Sequence, residues 1–159
     1  MIFITLGSQK FQFNRLLKAV DELVEQGKIT EKIFAQTGYS NYEPKNYEFK
    51  QFLSRDEFAK VLSETDIVVT HGGTGAIVGA IKAEKKVIAV PRLERYGEHV
   101  DDHQKQIVAE FKKSNLICGI DECNELVEAI KYVNNCSFNH YESNTQRIIN
   151  SIDKFVDEL

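Results

Sequence analysis

The chain has 159 residues, enough for one domain that buries about two thirds of the surface its unfolded form would expose. Hydrophobic residues make up 42% and charged residues 28%, an ordinary globular balance rather than that of a disordered chain. The formal charge of -4 argues against a general nucleic-acid binder, whose phosphate contacts show as a basic excess.

The chain opens on Met1-Ile2-Phe3-Ile4-Thr5-Leu6, with no basic flank, signal core or small-residue cleavage site. No apolar run approaches the ~20 residues of a bilayer span, so membrane attachment is expected only through a partner or a surface face. Ile2 to Leu6 reads as a buried first strand. Phe13, Leu16, Leu17, Val20, Leu23 and Val24 then recur at helical spacing, with Lys18, Asp21, Glu22 and Glu25 on the other face. Lys32 to Thr37 and Tyr47 to Phe52 read as the second and third strands, around a polar loop from Tyr39 to Asn46. Ser54 is placed to cap a short helix over Glu57 to Ser63. A strongly apolar strand, Asp66 to Thr70, leads into His71-Gly72-Gly73-Thr74-Gly75 and a helix from about Ala76 to Ala83. Strand Val87 to Val90 stops at Pro91, and Arg92 to Val100 reads as a polar loop. A helix from Asp101 to about Lys112 follows, then a last strand at Leu116 to Cys118. Helices near Asn124 to Val133 and Glu142 to Val156 finish the chain. Strands alternating with helices predict a single doubly wound, Rossmann-like α/β domain with a mostly parallel sheet.

Cys118, Cys123 and Cys136 are an odd set without a CxxC spacing, read as free thiols, and the four histidines do not pair with them at zinc-binding spacing. No metal and no cofactor is assigned.

Ligands of open α/β sheets bind beyond the carboxyl ends of the strands, and three segments converge there. Gly7 permits a tight turn after the first strand, with Ser8 and Gln9 offering polar groups near a helix start; an ordinary turn with Ser8 as a cap fits equally well. The second segment, His71-Gly72-Gly73-Thr74-Gly75, opens a helix with three glycines in four positions. Backbone can approach a ligand closely there, and free N–H groups suit a diphosphate. Its plain reading is a tight turn with Thr74 as the cap. The third, Pro91 to Gln104, is a long loop leading into His103 and Gln104. Asp101 followed by Gln104 three residues later also matches a capping box, in which Gln104 would only satisfy the Asp101 N–H.

Taken together, Phe3 to Ser8, Asp66 to Gly75, Lys86 to Arg92 and Asp102-His103-Gln104 resemble the C-terminal, donor-binding domain of family 28 glycosyltransferases, in order and spacing, from the first strand to about Phe111. The resemblance is greatest to stand-alone forms of that domain, in the eukaryotic two-part transferase acting on dolichol-linked GlcNAc and in bacterial capsule and exopolysaccharide systems. It implies half of a GT-B glycosyltransferase, and an inverting, metal-independent hexosyltransferase using a UDP-sugar donor. A membrane-associated partner subunit would hold a lipid-linked saccharide acceptor, so the chain would be cytoplasmic and peripheral to the membrane.

It also implies site roles. Gly7 and Ser8 would border the phosphates; His71, Gly72, Gly73 and Thr74 would lie along the diphosphate and sugar. Phe52 and Leu53 would hold the uracil through backbone groups, and His103 with Gln104 would contact the donor sugar. Catalytic roles fall on His71 and Gln104. The family commonly carries a ribose-binding glutamate on the helix after the glycine loop; spacing from Gly73 puts Gly79 there, so either Glu84 or a loop residue such as Glu98 substitutes, or ribose binding is weaker. Two rivals are a non-catalytic nucleotide-sugar-binding or regulatory subunit, and a flavodoxin-like or receiver module. The latter lacks the acidic pair a receiver needs, since Leu6-Gly7-Ser8 ends the first strand.

Overall fold

The computed structural model describes residues 1–140; the expected helix over Glu142 to Val156 and its stripe of Ile148, Ile149, Ile152, Phe155 and Val156 lie outside the described residues. Six strands form one parallel sheet: β1 (Ile2–Thr5), β2 (Ile33–Gln36), β3 (Glu48–Lys50), β4 (Ile67–His71), β5 (Lys86–Val90) and β6 (Cys118–Gly119). Their spatial order is β3-β2-β1-β4-β5-β6. Sequence order therefore reverses between β1 and β4, where Thr5 stands opposite Thr70. That reversal opens a crevice beyond the strand ends, the usual ligand position of doubly wound sheets.

Side chains alternate across the sheet because a strand has a period of two. Ile2, Ile4, Val69, Ile88 and Val90 face one layer, formed with Leu16, Leu17 and Val20 of α1 (Asn14–Glu25) and Leu126, Ile130 and Val133 of α5 (Leu126–Asn134). Val68, Val87 and Ala89 face the other, against Ile77 and Ile81 of α3 (Thr74–Lys82) and Ile107, Val108 and Phe111 of α4 (His103–Lys113). On α2 (Arg55–Ser63), Phe58 meets Phe3 edge-on with ring centroids 5.2 Å apart.

Several helix starts differ from expectation. Ser54 does cap α2, as half of a capping box: it accepts from the Glu57 N–H at 3.1 Å. No helix starts beside Ser8; α1 begins at Asn14, so the segment after β1 is a longer connection without a helix terminus behind Gly7. Thr74 is the first residue of α3 and not its cap, since Gly73 occupies that place with no side-chain cap. The third strand, expected over Tyr47 to Phe52, is shorter, and the Arg92 to Val100 loop contains a 3₁₀ turn at Glu94–Tyr96.

Helical periodicity puts Asp21 on the solvent face of its helix, yet it is buried. Its carboxylate accepts from Tyr42 Oη at 2.7 Å and from the N–H groups of Lys45 and Asn46 at 2.9 and 2.8 Å. The polar Tyr39–Asn46 loop is thus anchored on α1 by an acid that helical periodicity alone marks as exposed.

Candidate functional site

Three connections meet at the carboxyl edge: β1 to α1, β4 to α3 and β5 to α4. Side chains brace the strand ends to one another. Thr70 Oγ1 donates to the Thr5 carbonyl at 2.8 Å, and Gln36 Oε1 accepts the Leu53 N–H at 3.0 Å. The Leu53 N–H is therefore already engaged. Phe52 beside it is exposed, with its ring edge-on to Tyr39 at 5.3 Å.

Gln104 is the central brace. Its Oε1 accepts from the N–H of Gly72 and the N–H of Arg92, both at 3.0 Å, tying the end of β4 to the end of β5. Its Nε2 lies 3.2 Å from His71 Nδ1. The capping-box alternative is not what forms: Asp102 occupies the cap position of α4, and Asp101 Oδ1 takes the His103 N–H at 3.0 Å. With the cap one residue later, Gln104 is the second helical residue and not the third, and its side chain is buried, 5% exposed. Gly72 is required by the same contact, since a Cβ there would stand 2.7 Å from Gln104 Cβ.

His71 Nδ1 also accepts the Gly73 N–H at 3.1 Å. Two donors on Nδ1 put the ring proton on Nε2, an assignment made from the hydrogen-bond pattern. Burial, and then the charge of Arg92, push the His71 pKa down to about 3, against a smaller opposing pull from Gln104. The imidazole is thus neutral, with its one lone pair engaged, and at neutral pH it is a hydrogen-bond donor rather than a general base. Its Nε2 faces the β1 turn: a Cβ on Gly7, whose φ is +73°, would stand 2.8 Å away.

The glycine segment divides in two. The Gly72 and Gly73 N–H groups are used internally, by Gln104 and His71. The N–H groups of Thr74, Gly75 and Ala76 open the first turn of α3, where no intrahelical carbonyl precedes them. An anion would meet these last three, at the positive end of the α3 dipole.

The β5–α4 loop is fixed from below. Glu98 is fully buried and forms a forked pair with Arg15 of α1, to Nε at 3.0 Å and Nη2 at 3.1 Å, while also accepting the Leu93 N–H at 3.0 Å. Arg15 further reaches Pro91 O and Glu122, and Arg95 pairs with Glu122. Glu98 therefore cannot stand in for a ribose-binding acid. Glu84 cannot either, because it sits in the turn between α3 and β5, at the opposite edge of the sheet. At Gly79 itself an added Cβ would meet nothing within 4 Å. His103 lies at the mouth, with Nε2 3.2 Å from Asp101 Oδ2, and His99 Nδ1 is equally close to Asp101 Oδ1. Ser8 is exposed.

Sequence reasoning assigned no role to Arg92, Arg15 or Gln36. A charged residue ending an apolar strand after Pro91 was the available signal for Arg92, but nothing in the pattern says that it turns inward.

The glycosyltransferase family 28 C-terminal domain matches residues 1–159. The UDP-N-acetylglucosamine transferase subunit ALG13 of Debaryomyces hansenii is 25% identical over 114 residues, which cover 65% of this chain and 54% of that protein. Among solved structures, the glycotransferase of kitacinnamycin superposes with a TM-score of 0.60 at 15% identity, over 96% of this chain and 38% of that one. MurG of Acinetobacter baumannii gives 0.54 at 19% identity, over 95% and 49%. SnogD of Streptomyces nogalater, a glycosyltransferase, gives 0.53 at 15% identity, over 99% and 43%. At such identities the structural likeness establishes the fold, one doubly wound half of a GT-B arrangement. The chain spans about half or less of the length of each of these relatives. A parallel sheet reversing between β1 and β4, a glycine-rich start to α3 and a match over its whole length make this chain a member of glycosyltransferase family 28, carrying that family's C-terminal domain.

Proposed function

We propose that this chain is the donor-binding subunit of a two-subunit, inverting and metal-independent hexosyltransferase that uses a UDP-sugar. The observation carrying the reading is the pairing of the open first turn of α3 with Gly7 and the neutral, Nε2-protonated His71 across the β1/β4 reversal. An anion there meets the Thr74, Gly75 and Ala76 N–H groups and one imidazole N–H, all donors held in place beforehand. Such preorganised donors stabilise the charge that grows on a departing UDP, and they do so without a metal ion. Gly7 and Ser8 border the phosphates, Phe52 and Leu53 the base. His103 and the one Gln104 amide hydrogen not directed at His71 serve the sugar; the Gln104 carbonyl is fully engaged in positioning.

His71 lacks a lone pair for a base, so the base that activates the acceptor belongs to the other half of the enzyme. The relative whose name reads UDP-N-acetylglucosamine transferase subunit supports both a UDP-sugar and a separate partner. No helix among the described residues is long and apolar enough to cross a membrane, so a lipid-linked saccharide acceptor would be held by a membrane-associated partner, as in capsule or exopolysaccharide assembly.

The test is thermal stabilisation by UDP, with and without EDTA, followed by transfer assays with UDP-Gal, UDP-Glc, UDP-GlcNAc and UDP-GlcA in the presence of the neighbouring gene product. UDP at ~100 times its dissociation constant should add roughly 2.7 kcal/mol. Equal shifts with UDP and CMP, or a UDP shift abolished by EDTA, contradict the reading. Full transfer by the isolated chain, unchanged on adding the partner, contradicts its two-subunit part.

A further inference from the structure

Arg92 is the largest fully buried side chain of the described residues, 1% exposed, at the end of β5. Its Nη2 donates to the carbonyl of Leu6 at 2.9 Å and to that of Phe11 at 3.0 Å. Those two carbonyls flank the Gly7–Lys10 turn, so a single guanidinium nitrogen closes that turn at both ends. The other two guanidinium nitrogens, Nε and Nη1, are buried without a hydrogen-bond partner among the described residues. The carboxylate nearest in influence, Glu98, is already committed to Arg15 and the Leu93 N–H. A buried cation left short of partners is costly, and a protein retains one where it serves another purpose or where a counter-charge arrives later.

We propose that Arg92 is a positioning residue for the anion site, setting the Gly7–Lys10 turn and supplying positive charge, offset only in part by Glu98 and the Phe13 ring 5.5 Å from its guanidinium carbon, that a bound diphosphate neutralises further. This rests on the donor reading above, but it concerns a residue to which that reading gives no role. Three observations converge on it. The turn that Arg92 closes carries Gly7, against which His71 Nε2 is packed. Its own N–H is held by Gln104 Oε1, the oxygen that also holds the Gly72 N–H at the start of the glycine segment. Its charge reaches His71, where it disfavours the imidazolium and so helps keep the ring a neutral donor. Burial lowers the Arg92 pKa to about 10, against a smaller opposing pull from Glu98, which leaves the guanidinium charged at neutral pH.

The experiment compares wild type, Arg92→Met and Arg92→Lys by calorimetric titration with inorganic pyrophosphate and with UDP, at two salt concentrations. Arg92→Met removes both clamp and charge and should raise both dissociation constants about tenfold or more, with a weaker salt dependence. Arg92→Lys keeps the charge but not the reach and planar geometry that carry Nη2 to both carbonyls, and should raise them less, about threefold. Nitrogen-15 spectra of His71 give a second readout: the Nε2–H tautomer should persist in Arg92→Lys, and the ring should titrate at higher pH in Arg92→Met. A merely structural arginine would lower the melting temperature of both variants while leaving both dissociation constants unchanged, and that result overturns the proposal. Should Arg92→Met fail to fold, Arg92→Lys decides alone on the same criterion. Wild type that binds pyrophosphate but not UDP would sink the nucleotide reading and leave this one standing. Wild type that binds neither overturns both.

Discussion

Gln104→Glu changes one atom and should make stability strongly pH-dependent. Oε1 of the glutamate can still accept from Gly72 and Arg92. The second oxygen then replaces a donor 3.2 Å from His71 Nδ1, a nitrogen whose lone pair already receives the Gly73 N–H. Two acceptors facing each other in a buried site need a proton between them, on the carboxyl group or on the imidazole. Either way the folded variant holds one more proton than folded wild type. In the unfolded chain the new glutamate, with a pKa near ~4.3, has lost its proton well below neutrality. Since stability changes with pH in proportion to the protons bound by the unfolded state minus those bound by the folded state, the variant must lose stability relative to wild type as pH rises; the unfolded His71 is common to both and cancels. The gap from wild type should widen by about 1.4 kcal/mol per pH unit between about pH 5 and 7, for as long as the extra proton stays bound. Urea denaturation of both proteins at three pH values across that range measures it. A constant difference, independent of pH, refutes the geometry drawn for Gln104 and His71. Near-identical stability throughout would return Gln104 to the surface role that its capping-box spacing suggested.

Three further outcomes follow from the same structure. Glu98→Ala strands Arg15 and the Leu93 N–H and should cost about 3–5 kcal/mol, with Arg15→Met/Glu98→Ala losing less than the sum of its parts; additive losses by urea denaturation would deny the pair. Burial alone would raise the Asp21 pKa, but hydrogen bonds from Lys45, Tyr42 and Asn46 outweigh it and hold the carboxyl below its ordinary value. That contribution is full above the unfolded pKa and is lost as pH falls through the folded one, so Asp21→Asn should flatten the acid limb of a melting-temperature profile; an unchanged limb counts against it. Gly79→Glu enters open space on a helix and should raise stability by about 0.5–1 kcal/mol. If a glutamate at that place holds ribose, it should also tighten UDP relative to pyrophosphate, and a gain in stability with no change in that ratio removes ribose binding from the position.

The layer order was readable because it rests on repeated signals. Ile2 to Leu6, Asp66 to Thr70 and Val87 to Val90 are apolar runs too short for helices, separated by helical spacing, and they became β1, β4 and β5. The glycine segment was readable for a similar reason: three glycines at the end of such a run are costly unless backbone must come close to something, and Gly72 does come close to Gln104. What was not readable depends on the direction taken by a single polar side chain. Asp21 and Gln104 occupy positions where helical periodicity or a capping pattern points outward, yet both turn inward because loop N–H groups far along the chain await them. Those partners are 12 to 32 residues away in sequence, beyond the reach of a helical or capping pattern. Arg92 is the extreme case, since its two carbonyl partners lie more than 80 residues upstream.

The two margins of the sheet constrain how this chain can associate. β3 spans only Glu48–Lys50, with a charged residue on each side of Phe49, and β6 spans only Cys118–Gly119. Two or three residues leave too few unpaired backbone groups to template another strand, and charges along a margin oppose it further. Joining by strand addition, in which a second polypeptide lengthens the sheet, is therefore closed to this chain at both margins. A subunit that bound this chain would have helix flanks and the loops at the strand ends to grip, and the contact would be read side chain by side chain. Such a contact can be broken by one substitution in a way that a backbone ladder cannot.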